Sequence, residues 1–179
     1  MNTTGATQFL IQTLFDLYAY IVLARVLLQA VRADFYNPIS QFVVKATDPL
    51  LKPLHRVLPL RPIDIGGVLV FFLVVLIKLG LLIFMVSKLS PTVSTWVVST
   101  LFNCFGLLIS FYVYAIFMLV IFSWIQPGSY SPISLLLHQI TEPLIAPVRR
   151  IIPAAGGIDW APMVVMLLLY LIKILFNLP

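Results

Sequence analysis

Four apolar runs dominate the chain, and their lengths must be judged against the thickness of a bilayer. About 20 largely apolar residues carry a helix across the hydrocarbon core. Residues 8–31, 65–87 and a longer run within 93–125 meet that length, and 160–178 just meets it. Only 9% of the 179 residues are charged and 61% are hydrophobic, with a mean hydropathy of +1.10. A water-soluble domain carries roughly a quarter charged residues, so the composition calls for a membrane. The first run does not read as a signal peptide: no Lys or Arg precedes it, Asp16 lies inside it, and no small-residue cleavage site follows. The third run exceeds one crossing. Its span is set at about 99–125, and it is expected either to tilt or to open with an interfacial turn carrying Trp96 after Ser90-Pro91.

Charge orients the four expected crossings. Arg32, Lys45, Lys52, Arg56 and Arg61 flank or fill the first connection, Arg149 and Arg150 sit in the third, and the opposite side has only Lys88. Basic residues near span ends are retained in the cytoplasm. Connections one and three are therefore expected to be cytoplasmic, both termini outside, and the chain a multi-pass protein of the inner (plasma) membrane. The pI near 9.6 does not imply direct nucleic-acid binding, because the basic residues lie between apolar spans. A single cysteine, Cys104, excludes an internal disulfide.

One stretch is written twice. Residues 37–59 read NPISQFVVKATDPLLKPLHRVLP, and residues 131–153 read SPISLLLHQITEPLIAPVRRIIP. The likeness continues outward: Tyr18 and Tyr20 align with Tyr112 and Tyr114 at an offset of about 94 residues, and after a one-residue gain Lys78 aligns with Lys173. The expected fold is an all-α membrane protein of four transmembrane helices, arranged as two tandem repeats of the same orientation. Each is helix, amphipathic interfacial connection, helix. The first repeat covers residues 1–89 with spans of about 8–31 and 65–87, and the second covers 90–179 with spans of about 99–125 and 160–178. An even number of crossings per repeat returns the chain to its starting side, so the repeats are related about the membrane normal.

Within the duplicated stretch, Asn37 and Ser131 can cap short helices that start at Pro38 and Pro132. Ile39, Phe42, Val43 and Ala46 then share a face, as do Ile133, Leu136, Leu137 and Ile140. Thr47 and Thr141 are expected to cap a second turn, which Pro53 and Pro147 end or bend. The apolar faces are read as lying in the inner leaflet, with Lys52, Arg56, Arg149 and Arg150 at headgroup level to meet anionic lipid or a protein partner. A compact loop folded over the span ends is the alternative.

The pattern T-[DE]-P-L-x-x-P-x-R-x-x-P followed by G-G-I-D-W-A-P, on paired spans, resembles the YggT family of bacterial integral membrane proteins, with YlmG proteins of Gram-positive bacteria and plastids among its relatives. The likeness runs from about Tyr18 to Lys173. The second copy carries the fuller signature in Thr141, Glu142, Pro143, Pro147, Arg149, Arg150, Pro153, Gly156, Gly157, Asp159 and Pro162. In the first, His55 replaces the first arginine and Arg61 to Gly66 replaces the glycine pair before the acid. The resemblance implies a link to osmotic-stress tolerance or to cell-envelope and division organisation, and, through plastid relatives, to nucleoid distribution and haem attachment.

Charged residues inside spans are costly and are usually paired or functional. Asp16 and Lys78 both lie about 12–13 Å from the outer face, and Lys173 about 8 Å from it, at 1.5 Å per residue. Asp16 is expected to sit between the two lysines or to pair with one, the alternative being that the lysines snorkel outward. Ser110 occupies the position equivalent to Asp16, so Lys173 lacks the corresponding acid. Arg25 is expected to reach headgroups or the acid of a connection. Gln12, Asn103 and Ser110 can line a cavity or join neighbouring helices. His55 and His138 have no companion ligands, so no metal or cofactor is assigned, and Asp64 and Asp159 are read as first-turn acids favoured by the helix dipole.

No nucleotide-binding, serine-hydrolase or zinc-protease motif occurs. The expected function is a non-enzymatic membrane scaffold or assembly factor. The alternatives are an oligomeric channel or transporter for small solutes or ions, which would need self-association, and a haem-handling assembly factor.

Overall fold

A computed structural model describes residues 3–56, 64–86, 92–125, 131–154 and 159–179. Arg61, Lys88, Gly156 and Gly157, singled out above, lie outside the described residues. Six helices follow one another: α1 (Thr3–Ala30), α2 (Pro38–His55), α3 (Ile65–Val86), α4 (Val93–Ile125), α5 (Pro132–Ile151) and α6 (Ala161–Leu175). No strand occurs among the described residues.

Three helices are long and apolar enough to cross a membrane, over Gly5–Ala30, Ile65–Met85 and Val93–Ile125. The fourth apolar helix, α6, has 15 residues. That gives about 22 Å of helix, short of a hydrocarbon core of about 30 Å. Asn177 takes a left-handed φ of 47°, and the Leu178 amide returns to the Lys173 carbonyl at 2.9 Å, which is how a helix closes with Asn just past its end. α4 is continuous from Val93. Trp96 does not stand on a separate interfacial turn. It packs over Gly80 of α3, where an added Cβ would come within 2.7 Å of the indole.

The duplicated stretch corrects one expectation. The sequence suggests a short helix, then a second turn capped by Thr47 or Thr141. Instead α2 runs unbroken through Pro49 and Pro53, and α5 through Pro143 and Pro147. Proline removes an amide donor and crowds the preceding turn, so the carbonyls of Lys45, Pro49, Gln139 and Pro143, four residues back, lose their helical partner. The side-chain bonds in these helices fall on neighbouring carbonyls. Thr47 Oγ1 donates back to the Val43 carbonyl at 2.7 Å, and Thr141 Oγ1 to that of Leu137 at 2.8 Å. Arg25 and Tyr18 of α1 reach the carbonyls of Val44 and Ala46 at 3.0 and 3.5 Å. The N-terminal caps do form: Asn37 accepts from the Ile39 amide and Ser131 from that of Ser134.

The face of α2 also divides differently from the pattern read in the sequence. Ser40, Val43, Thr47 and Leu51 are buried, whereas Phe42 is 61% exposed. In α5 the buried residues are Leu136, Ile140, Thr141 and Ile145. Both helices thus rest on protein through one stripe and leave other apolar side chains outward. Three clusters result. The first gathers α1 and α3 around Val22, Leu23, Val70 and Val75, with Leu51 from α2. The second gathers Ile109, Ile116, Ile145, Val165 and Leu169 of α4, α5 and α6. The third joins them through Leu28, Ala33, Val43, Leu136 and Ile140. At that seam the Asn37 amide donates to the Pro132 carbonyl at 2.7 Å.

Candidate functional site

Two polar groupings stand out, one among the apolar helices and one along α2 and α5. In the first, α1 carries Asp16, α3 carries Lys78, α4 carries Asn103 and Ser110, and α6 carries Lys173. The Lys78 ammonium donates to Asp16 at 2.6 Å and to Asn103 at 3.3 Å. Lys78 is 3% exposed, so this lysine does not snorkel. Its four-carbon stem stays within the helix bundle, where the carboxylate offsets the cost of an unpaired ammonium. Lys173 meets the Ser110 hydroxyl at 2.9 Å. The two lysines therefore contact the two aligned positions of α1 and α4, one an acid and one an alcohol. Among the described residues no ion pair reaches Lys173.

All of these residues border one cavity of about 150 Å³, lined by Gln12, Asp16, Tyr20, Lys78, Asn103, Leu107, Ser110, Tyr114, Lys173 and Pro179. Tyr20 and Tyr114 meet edge-on with ring centroids 6.3 Å apart. Pro179 closes a wall against Gly106, where an added Cβ would lie 3.0 Å from the proline ring. Gln12 and Tyr114 are exposed at the rim. Lys173 also borders a hollow of about 330 Å³ with Tyr170, Ile174, Asn177 and Leu178. Gln12, Asn103 and Ser110 take the cavity-lining place that the sequence offered them, whereas the convergence of Tyr114 on the charges could not be read from one sequence, because four different helices contribute the wall.

The second grouping ties the proline-containing helices to the long ones. Arg25 reaches out of α1 to Thr47 Oγ1 and Asp48 Oδ1, both at 2.8 Å. Lys52 approaches the other Asp48 oxygen at 3.0 Å. The Arg25 hydrogen bond is the main reason the Asp48 carboxyl sits below its ordinary pKa, with partial burial opposing and Lys52 assisting. His55 Nε2 lies 2.9 Å from Asp64 Oδ1, which also accepts from the Gly67 amide at 2.8 Å. Asp64 thereby caps the start of α3 from the position just before it, not from within the first turn as the sequence suggested. An added Cβ on Gly67 would fall 2.7 Å from Val26 and 2.8 Å from Asp64 Oδ2, so α1 approaches this turn closely.

In the second half Arg149 bridges both acids. Its Nε donates to Asp159 at 2.8 Å and its Nη1 to Glu142 at 2.7 Å. Burial opposes the guanidinium charge, yet the bonds to Asp159 and Glu142 outweigh it and raise the Arg149 pKa. His138 stands 3.6 Å from the other Glu142 oxygen, beyond hydrogen-bond length. Asp159 Oδ1 accepts from the Ala161 amide at 3.0 Å and so starts α6.

Of the four basic residues expected to meet lipid or a partner, Arg149 is held inside this bridge. Lys52 has a side chain 74% exposed, and Arg56 and Arg150 are exposed, with no ion pair to either among the described residues. Thr141 faces inward, Glu142 joins the bridge, and Pro143, Pro147 and Pro153 are on the outer side of the chain. Among the described residues no group of three or more His, Cys, Asp and Glu converges as a metal site.

Comparison with known proteins bears on the whole chain. An uncharacterised protein named YggT from Escherichia coli K12 is 42% identical over 174 residues, covering 97% of this chain and 88% of that protein. An uncharacterised protein from Vibrio alginolyticus, named for the proC 3' region, is 43% identical over 166 residues, covering 89% and 87%. One from Pseudomonas aeruginosa is 41% identical over 180 residues, covering 98% and 89%. No solved structure matches. The sequence model of the CCB3/YggT family matches twice, over residues 4–85 and 98–178, and the chain belongs to that family.

Proposed function

We propose that this is a non-enzymatic scaffold of the inner membrane, whose two basic helices form a docking face on the cytoplasmic side. In this reading the chain crosses four times as two tandem units of one orientation, with both termini outside. α6 makes the fourth crossing by continuing through its closing turn or by local thinning of the bilayer, which accommodates a short helix at modest cost. The observation that carries the reading is the division of labour along α2 and α5. Arg25, Asp48, His55, Asp64, Glu142, Arg149 and Asp159 are consumed in fixing these helices to the bundle. Lys45, Lys52, Arg56 and Arg150 remain directed outward beside the exposed Phe42 and Leu50. Apolar side chains flanked by exposed cations suit an anionic leaflet or an acidic segment of another protein.

The family resemblance sets such a scaffold in osmotic-stress tolerance or in envelope and division organisation. Channel and haem-handling readings have less support. The cavity lining ends at Tyr20 and Tyr114 without reaching α2 or α5, so a pathway would need other copies of the chain, and His55 is already engaged by Asp64.

Photo-crosslinking in cells from position 139 of α5 and position 41 of α2 tests the scaffold. Capture of lipid or of a defined partner, reduced when Lys52, Arg56 and Arg150 are replaced by Gln, is the expected result. Capture unaffected by those replacements, or labelling of α2 and α5 from outside the cell, overturns it.

A further inference from the structure

The outer face of α2 carries two parallel lines of side chains. At 3.6 residues per turn, Lys45, Lys52 and Arg56 fall at i, i+7 and i+11, within about 40° of one another around the helix. All three are exposed, and together they make a cationic line about 16 Å long. Asp48 beside them is shared between Lys52 and Arg25, so the line keeps a net positive charge. Phe42, Pro49 and Pro53 repeat the same spacing three residues earlier and are also exposed. An apolar line thus runs alongside the cationic one. α5 lacks this pattern: Gln139 and Ala146 stand at the positions aligned with Lys45 and Lys52, and only Arg150 matches Arg56.

Depth decides what covers these lines. Arg25 lies about 7.5 Å short of the end of α1, and it binds Thr47 and Asp48 in the middle of α2. Leu51 joins Val22, Val70 and Val75 between α1 and α3. α2 therefore lies against the flank of two apolar helices, not beyond their ends, and its outer face stands where hydrocarbon gives way to headgroups. From this we infer that α2 binds anionic phospholipid. Lipid phosphodiesters lie along Lys45, Lys52 and Arg56, and acyl chains cover Phe42, Pro49 and Pro53. Long basic side chains rest their stems on apolar surface and hold their charge at headgroup level. Each cation beside an anionic leaflet is worth about fivefold in affinity. The inference rests on the docking face proposed above and names lipid as its partner.

Thermal unfolding of the purified full-length protein in neutral detergent tests the inference, with dioleoylphosphatidylglycerol or dioleoylphosphatidylcholine titrated in. The expected result is a saturable rise in the unfolding midpoint with phosphatidylglycerol beyond that with phosphatidylcholine, as for any ligand that binds the native state. Lys45→Gln with Lys52→Ala copies the α5 residues into exposed positions of α2. That pair should weaken the apparent phosphatidylglycerol affinity by about tenfold or more and leave the midpoint in phosphatidylcholine in place. Lys45→Arg with Lys52→Arg keeps the charges and should keep the response. Phe42→Ser changes no charge and should weaken the affinity by about fivefold through lost acyl contact. Equal responses to the two lipids overturn the inference. So does a phosphatidylglycerol response that survives Lys45→Gln with Lys52→Ala, that Phe42→Ser leaves untouched, or that glycerol 3-phosphate alone reproduces. In any of those cases, charge-dependent capture of a protein from position 41 would keep the scaffold with an acidic partner. Labelling of α2 from outside the cell would instead remove the cytoplasmic scaffold and leave the lipid site.

Discussion

The two halves of the molecule solve the same placement problems with different chemistry. Near one end of the bundle, the α1–α3 contact is an ion pair, Asp16 with Lys78, and the α4–α6 contact is an alcohol with an ammonium, Ser110 with Lys173. Near the other end, the second half runs a single arginine between Glu142 and Asp159. The first half divides that work. Arg25 of α1 takes Asp48, and His55, standing where the arginine stands in the second half, takes Asp64. The position aligned with Arg25 is Leu119, which packs against the second cluster. Matching positions of the duplicated sequence thus carry different charges in the two halves. In each half a cation meets the acid of the proline-containing helix, from α1 in the first and from α5 itself in the second.

The largest effect should come from breaking the first half's ion pair. Asp16→Ala leaves Lys78 charged and 3% exposed, a loss of about 3–5 kcal/mol for a broken buried pair. The double variant Asp16→Ala, Lys78→Met should recover most of it in a denaturant titration of detergent-solubilised protein. Simple additivity of the two single changes would break the comparison.

Next comes Arg25→Ala, which strips donors from Val44, Thr47 and Asp48. A loss of about 2–3 kcal/mol is expected for bonds to a charged, largely buried group. Leu119→Met, at the aligned position, keeps the apolar packing on the second cluster and should not loosen α5, and proteolytic accessibility of α2 against α5 reads the difference.

Ser110→Ala should be milder, about 1 kcal/mol, because it deletes one hydrogen bond to Lys173. A loss as large as that of Asp16→Ala would show that Lys173 depends on Ser110 as Lys78 depends on its acid, and the contrast between the halves would fail.

The smallest effect is a pH dependence carried by Asp48 of the first half. Asp48 titrates below its ordinary value of 3.8 because Arg25 donates to it. A carboxyl whose folded pKa is lowered stabilises the fold above its unfolded pKa, and that contribution disappears as pH falls through the folded one. The unfolding midpoint should therefore decline below about pH 4, and Asp48→Asn should flatten that part of the decline. An unchanged slope would detach Asp48 from Arg25 in solution.

Much of this architecture is visible in one sequence because its signals are local. Apolar run length marks Gly5–Ala30, Ile65–Met85 and Val93–Ile125 without reference to any partner. Matched depth along two antiparallel helices made Asp16 and Lys78 candidate neighbours. Proline misled, because its local rule weighs one lost amide donor per proline and not the packing of the whole helix on its neighbours. α2 and α5 continue through four prolines while burying Val43 and Leu51, and Ile140 and Ile145, against the bundle. Phe42 misled for a related reason: periodicity identifies an apolar stripe but not whether protein or lipid covers it.

By itself, the sequence determined that the chain belongs in a bilayer, which segments are helical, where two of its helices carry paired prolines, and which residues are charged where charge is expensive. All of these follow from composition and from spacings of a few residues. Only the tertiary structure decided that Lys78 takes the carboxylate while Lys173 takes an alcohol, that Arg25 rather than a local base serves Asp48, and that four helices enclose one polar cavity. Such choices depend on distances between residues 23 to 63 positions apart, and a chain specifies those only through the packing of its helices.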